Sequence, residues 1–544
     1  MHVRPLPLAR LAVSRVLLAV LSVCGAFLAA PCVRGAELDL WRDGKPRARL
    51  VAPRIEGPMR RIVQRALNGR FEELFGWRLP VVQGAAGPGT YILAGDAATN
   101  PSIKELVDGG LDLTLKDAGD EGFRLLTHES GGKRFVIVAA RTPVGLKHGC
   151  QELVFFRTRA TSSAAWIDAP LDVKMRPRFP YRGVYMLPCW SAYDDLDTWR
   201  KVLRFHSELT LNRNWFWLAG FPLLEKYGGK YAGTDLAVPE NVRDLIELCH
   251  AEGMKFYIGG GWYNWHHADA AAGSIERGIE YYRDLFRLFP NADGLYLEPT
   301  GEGSTVDEAT ASRHLDAIRE LLGGLLAARP DFEVAVAVGK FNTKRWREAL
   351  AAIDSRRLYW WWCWGDPIES GAPAQHPLVL RWHTTVRMSE YHGSTDPPRP
   401  TETGLAGFAT SYDPGQGYGN PWNGWGALGV ESPRDVHPHT LPFFSHQYFF
   451  RERCWNVNLT AEGFAARLSQ RLFDADMPAE AIGRYLRLAE LCPKPSAASD
   501  AELAEIEGFI RARSSLGTPR NRDTLRRMGE ALDGLRSTRA KAKQ

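Results

Sequence analysis

Between Asp293 and Gly303 the chain reads DGLYLEPTGEG: a short apolar run opens into two glutamates, Glu298 and Glu302, inside a turn rich in glycine and proline. Two carboxyl groups on a rigid backbone suit chemistry on a glycosidic bond. One, kept protonated, serves the departing oxygen, and a second carboxylate activates water or attacks the sugar. An acidic pair after a strand is often only a solvated loop. The periodic pattern on both sides favours chemistry, because the strand ends of a (β/α)8 barrel are where such groups are placed.

Similar groups follow other strand-like runs. Asp366 lies just beyond RLYWWWCW and Glu390 just beyond LRWHTTVRM; either supplies the second catalytic carboxylate. Trp190, Trp217, Trp262 and Trp364, with Asn214, Asn264 and Asp413, complete a set able to stack on sugar faces and bond to hydroxyls. Plainer roles compete at some positions. Asp413 precedes Pro414 and Gly415 and also suits a turn. Of Trp360, Trp361 and Trp362 only one is assigned to a site, since successive strand residues face opposite sides. His266 and His267 are adjacent, so they do not project together, and no third ligand stands at metal spacing. No metal and no cofactor is expected. There is no G-x-S-x-G elbow, and the glycines of YIGGGW and YDPGQGYGN lack a phosphate loop's lysine, which disfavours nucleotide chemistry.

Residues so placed need strands to hold them. Strand-like runs recur at GVYML (183–187), LNRNWFWL (211–218), MKFYIGGG (254–261), GLYLE (294–298), FEVAVAV (332–338), RLYWWWCW (357–364), LRWHTTVRM (380–388) and LAGFATS (405–411). Between them lie amphipathic stretches: Val242, Leu245, Ile246 and Cys249 share one helical face, as do Leu315, Ile318, Leu322 and Leu325. Strands alternating with helices in this number predict an α/β fold, a TIM-type (β/α)8 barrel over 179–430. Residues 365–378 break the rhythm, with no helical period. Before the barrel, 37–178 reads as a small α/β accessory domain: strands at LVAPRI and TYILAG, a helix from Met59 to Phe75, a hairpin in FRLLTHESGGKRFVIVAA and a helix in PVGLKHGCQELVFF. It shows no catalytic constellation and is assigned a structural role. After the barrel, 431–544 reads as a helical C-terminal region.

Residues 1–36 carry arginines ahead of an uncharged run from Val16 to Ala30 and then small residues, the layout of a secretory signal peptide. The expected location is therefore secreted or periplasmic, without membrane insertion, since no later uncharged run approaches the ~18 residues of a spanning helix. Removing that segment takes four arginines and no acids, so the net charge of +5 becomes +1. Ten Lys/Arg against three acids crowd Arg511–Gln544, read here as a solvated helical terminus. Nucleic acid is excluded as a partner, because it calls for a basic groove over the folded body. Six cysteines remain, none at C-x-x-C spacing and too sparse for a disulfide scaffold.

The small α/β segment, the RPRFPYRG lead-in to the barrel and the helical end resemble secreted glycoside hydrolases related to the α-glucuronidases and β-hexosaminidases. In the α-glucuronidases the fourth strand ends in Lys-x-x-x-Glu-Gly, whose glutamate is the general acid. LEPTGEG matches at Glu302 and Gly303, so the resemblance implies Glu302 as acid, with Glu298 in place of the lysine. A lysine there helps to neutralise a uronate carboxylate, whereas a glutamate repels it. The family's other carboxylates come from strands six and seven. Asp366 is the counterpart of the first; for the second this chain has Thr384 and Thr385, with Glu390 further on. The adjacent Asp-Glu pair of the hexosaminidases is absent, since the two acids here are four residues apart.

The resulting expectation is an exported glycoside hydrolase acting on a poly- or oligosaccharide. Glu302 is the acid, Asp366 or Glu390 the second carboxylate, and Glu298 a substrate contact that also raises the pKa of Glu302 by like-charge repulsion. Two alternatives stand beside it. One is a carbohydrate-binding barrel that has lost its base; the other is a polysaccharide lyase, which the scarcity of Arg and Lys among the candidates disfavours.

Overall fold

The computed structural model describes residues 36–186, 196–216, 235–261, 273–298, 308–338, 350, 353, 356–362, 377–382, 405–412, 443–456, 458–492 and 495–543. The first 140 or so of these build two sheets. β1 (Ala36–Arg42), β2 (Lys45–Pro46), β8 (Thr158–Ala160) and β9 (Ala164–Ala169) form an antiparallel sheet in the order β2-β1-β9-β8. The second sheet is mixed, β10-β6-β7-β5-β3-β4, from β3 (Ala48–Val51), β4 (Val81–Val82), β5 (Gly89–Gly95), β6 (Phe123–Ser130), β7 (Lys133–Ala139) and β10 (Asp172–Met175). The β6–β7 hairpin turns on Gly131 and Gly132, both at positive φ, the backbone that matches the twist of the flanking strands. Helix Pro143–Glu152 begins with Thr142 accepting from the Gly145 N–H at 3.1 Å and a proline in its first turn.

Eight strands then close a parallel barrel: β11 (Tyr181–Met186), β12 (Arg213–Phe216), β13 (Lys255–Gly261), β14 (Gly294–Glu298), β15 (Glu333–Val338), β16 (Leu358–Trp362), β17 (Leu378–Trp382) and β18 (Leu405–Tyr412), with β18 pairing back onto β11. Seven of these match the runs predicted from sequence to within a few residues at each end. The seventh differs. β17 is Leu378–Trp382, where 380–388 was expected, so Thr384, Thr385 and Glu390 lie past its described end.

Alternation divides each strand between two environments. Val184, Phe216, Phe256, Ile258, Leu295, Leu297, Val334, Val336, Leu358 and Trp360 are buried against the surrounding helices. These include the expected faces: Val242, Leu245, Ile246 and Cys249 are buried, as are Leu315, Ile318 and Leu322, with Leu325 half-buried. The other row fills the barrel with Tyr185, Trp215, Tyr257, Tyr296, Ala335, Tyr359, Trp361, Val379 and Ala409. So many rings fit because small residues face them. A Cβ at Gly183 would lie 2.4 Å from the Trp215 ring, and one at Gly294 would lie 2.6 Å from the Tyr257 ring.

The N-terminal end of the barrel is sealed by charge. Arg213 bonds the Tyr257 hydroxyl at 3.0 Å and Glu333 at 3.2 Å and stacks 4.1 Å from the centre of the Tyr181 ring, while Lys255 and the Tyr257 hydroxyl also donate to Glu333. Burial opposes ionisation of Glu333, but Arg213 and Lys255 outweigh it and hold its carboxyl below the usual range.

Helices Phe443–Trp455, Ala461–Leu472, Glu480–Leu491, Asp500–Arg513 and Pro519–Lys543 complete the fold. The lead-in is fastened to the first of these: the N–H groups of Arg178 and Phe179 donate to the Cys454 carbonyl at 2.9 and 3.3 Å. Beneath it, Glu152 has no exposed surface and accepts from Arg467 at 3.1 and 2.9 Å and from Arg157 at 3.0 Å. Burial raises the cost of that charge, yet Arg467 and Arg157 prevail and lower the carboxyl to about 2. The basic terminus is not merely solvated as expected. Helix Pro519–Lys543 buries Leu525, Met528, Leu532 and Leu535, an apolar face that the density of its charges hides. Cys150, Cys249, Cys454 and Cys492 are reduced and buried; Cys189 and Cys363 lie outside the described residues.

Candidate active site at the C-terminal mouth of the barrel

Parallel strands deliver their C-terminal ends to one rim, and in barrels of this kind chemistry resides there. Just below that rim three rings close the interior. Tyr185 lies 5.3 Å from Tyr296 and 5.0 Å from Trp361, and Tyr296 lies 5.0 Å from Trp361, centre to centre in tilted or edge-on contact. Trp215 sits beneath, 6.2 Å from Trp361, and its indole N–H donates to the Tyr359 hydroxyl at 2.8 Å. The barrel is thus a packed core capped by an aromatic floor.

The fourth barrel strand ends at position 298. Gly294 and Tyr296 lie on the inward row of β14, and the strand ends at Glu298. Glu298 is in register with Gly261 of β13; Leu297 is in register with Val336, which puts Ala337 next along β15. The strand end that carries Glu298 is flanked by two of the smallest residues.

The structure corrects one expected substrate contact. Asn214 lies on the outward row of β12, fully buried, where it meets His206 Nδ1 at 2.8 Å and approaches the sulfurs of Cys249 and Met254 at 3.6 Å. It braces the strand against helices Leu196–Glu208 and Pro239–Ala251, and one step of strand parity separates it from the inward Trp215. Of the consecutive tryptophans, Trp361 is on the inward row and Trp360 packs toward the helices. Glu302, Asp366, Glu390, Trp190, Trp217, Trp262, Asn264, Trp364 and Asp413 lie outside the described residues. Two members of the floor, Tyr185 and Tyr296, were absent from the candidates chosen by sequence. Their signal was period two: each stands two residues from another residue of the same inward row.

No metal-holding group of three or more His, Cys, Asp or Glu occurs among the described residues, and no described helix is long and apolar enough to cross a membrane. No family model matches the chain, and no curated protein matches it. Solved structures do. The chain is similar to the GH20 β-N-acetylhexosaminidase of Streptomyces coelicolor A3(2), with a TM-score of 0.53 and 12% identity, covering 80% of this chain and 92% of that one. A mutant β-hexosaminidase of Streptomyces plicatus in complex with its product GlcNAc gives 0.54 and 12%, covering 82% and 94%. A GH138 enzyme targeting pectin rhamnogalacturonan II gives 0.54 and 12%, covering 90% of this chain and 68% of that one. At such identity the likeness is one of fold: this chain has the barrel architecture of these glycoside hydrolases.

Proposed function

We propose that the chain is an exported glycoside hydrolase that cleaves O-glycosidic bonds at the C-terminal mouth of its barrel. The observation that carries the reading is position 298. A glutamate ends the fourth strand, whose Tyr296 belongs to the aromatic floor, and Glu302 follows four residues later. The fold likeness to hexosaminidases and to a pectin-targeting enzyme supports the same class of chemistry. In this reading Glu302 protonates the leaving oxygen, Asp366 or Glu390 supplies the second carboxylate, and Glu298 raises the pKa of Glu302 or binds a sugar hydroxyl. Trp190, Trp217, Trp262, Asn264, Trp364 and Asp413 shape the sugar site. Residues 1–36 direct export, 37–178 form an accessory domain, and 431–544 brace the barrel. The distance between carboxylates decides inversion or retention.

The test is Glu302→Gln, assayed on neutral, amino and uronic glycosides with poor leaving groups. We expect turnover to fall roughly 10²–10⁴-fold with an unchanged melting temperature, the effect typical of a lost general acid. Near-wild-type turnover would remove Glu302 from the mechanism. A second reading, a sugar-binding barrel without a base, is favoured by one observation: the described residues of β17, LVLRW, include no carboxylate. It predicts saturable binding of a glycan with no turnover by the wild-type protein.

A further inference from the structure

The antiparallel sheet β2-β1-β9-β8 has one face in the core and one toward solvent, and a tryptophan stands at the centre of the solvent face. Leu38, Leu40, Ala165 and Ile167 are buried, so alternation turns Glu37, Asp39, Trp166 and Asp168 outward. Pairing sets their neighbours. Trp166 of β9 lies directly opposite Asp39 of β1 on one side and Arg159 of β8 on the other, and Asp168 lies opposite Glu37. We infer that this face is a second, non-catalytic site that binds a neutral glycan chain: the Trp166 ring stacks on a pyranose, and Asp39, Asp168, Arg42 and Arg159 bond its hydroxyls.

The ring supplies the first reason. Trp166 is half-buried and belongs to none of the buried apolar clusters, and among the described residues no aromatic ring or guanidinium stacks on it. Its indole N–H donates to Asp168 Oδ1 at 3.1 Å, a bond along one strand that fixes how the ring stands on the sheet. A large apolar ring held in one orientation at an open surface adds little to the fold. It matches the flat array of C–H groups on one side of a sugar ring, and a fixed ring loses little freedom on binding. Ala164, the preceding residue of the same row, is too small to cover it.

Charge supplies the second. Arg42 donates to Asp39 at 3.2 and 2.6 Å and stands 3.9 Å from Glu37, and Arg159 stands 3.9 Å from Asp168. With Lys45, paired opposite Arg42, three bases meet three acids, Glu37, Asp39 and Asp168. A balanced face neither steers nor holds a polyanion or a polycation. It does offer a neutral, hydroxyl-rich chain both donors and acceptors. These groups are accessible, with side chains from 31% exposed at Asp39 to 63% at Asp168.

Anchoring supplies the third. The Ala160 carbonyl of β8 accepts from the Ala475 N–H at 2.8 Å, and the inner side of the sheet joins the same core as the barrel helices. A polymer held on this face therefore keeps a fixed position relative to the barrel. The choice of a glycan as occupant rests on the proposed hydrolase activity, whereas the ring and its balanced surround do not depend on it.

The experiment is affinity electrophoresis of the full chain in native gels containing hydroxyethyl cellulose, glycol chitin, mixed-linkage β-glucan or galactomannan, with polygalacturonate as the anionic arm. Concentration-dependent retardation by at least one neutral polymer is expected. Trp166→Ala should weaken it about tenfold or more, the effect of removing a central aromatic contact, with an unchanged melting temperature. Trp166→Phe, which keeps a ring, should retain part of it. Turnover of small soluble glycosides by Trp166→Ala should stay at the wild-type level, which separates this face from the barrel. No retardation by any neutral polymer, retardation by polygalacturonate alone, or wild-type retardation of Trp166→Ala overturns the inference. A wild-type chain retarded through Trp166 that hydrolyses no glycoside would refute the hydrolase reading and leave this site standing.

Discussion

At position 298 a glutamate stands where the resembled α-glucuronidases carry a lysine, and one residue's charge separates two substrate classes. Like charges a few ångströms apart repel by ~1 kcal/mol in water and several times that in a drier site. We therefore expect the protein to prefer neutral or amino sugars. Faster cleavage of a glucuronide than of its neutral analogue would show that a cation elsewhere compensates. The second carboxylate is separable in the same way. Asp366→Asn and Glu390→Gln, compared with and without azide, should identify it: the variant that loses activity and regains it with the small anion marks the position. Asp366 is favoured, because it follows β16 by only four residues, and a rigid strand holds a carboxylate more firmly than a long loop. Strand parity is what residue types alone did not decide. Asn214 looked apt for sugar because asparagine bonds hydroxyls, but in a strand such as NRNWFW one step chooses between interior and helix face. The isolated window offers no frame for that choice until Arg213 and Trp215 are seen to face inward together.

Elements were more legible than residues, for a reason visible in β14. Its apolar run is short, bounded by Asp293 and Pro299, and flanked by helices of regular period, so its limits stand out. β17 had no such limits: Thr384, Thr385 and Val386 are β-branched and carried the expected strand to 388, past the described residues. The sheet formed by β1, β2, β8 and β9 escaped the sequence reading because its strands are short and partly polar. The barrel strands also predict a sensitive glycine. A Cβ at Gly294 would lie 2.3 Å from the Glu333 carbonyl oxygen as well as 2.6 Å from the Tyr257 ring. Gly294→Ala should lower stability by ~1–3 kcal/mol through overpacking, measured by denaturant unfolding. An unchanged midpoint would mean that β14 and β15 can part without cost.

Over the whole molecule, buried charge ties the sheets, barrel and terminal helices together, and acid should loosen it in a set order. His206 is held neutral by burial, its pKa lowered from 6.5 to about 4, and His148 likewise to about 3, with Lys147 reinforcing the effect. Between those values and 6.5 the unfolded chain binds protons that the folded one refuses, so stability must fall as pH drops through this range. Glu121, buried but held at about 2 by Arg182, and Glu152 contribute stability that is present above 4.5 and lost as pH falls toward 2. The melting temperature is expected to decline from about pH 6.5 downward and more steeply below 4.5. A flat profile between pH 7 and 5 would show that the two histidines do not sense unfolding.

The Glu152–Arg467 pair also sets a schedule. Its partners are 315 residues apart, so on a ribosome adding roughly 5–20 residues per second the arginine emerges ~15–60 s after the glutamate. Until then the Glu152 carboxylate has Arg157 beside it but lacks the two bonds from Arg467, the larger of the influences that hold it ionised. The charge cluster under the leading sheets is therefore complete only once helix Ala461–Leu472 has been made. Residues 36–178 produced alone should be open to protease under conditions where the full chain resists it, and a fragment as resistant as the intact protein would show that the wait is unnecessary.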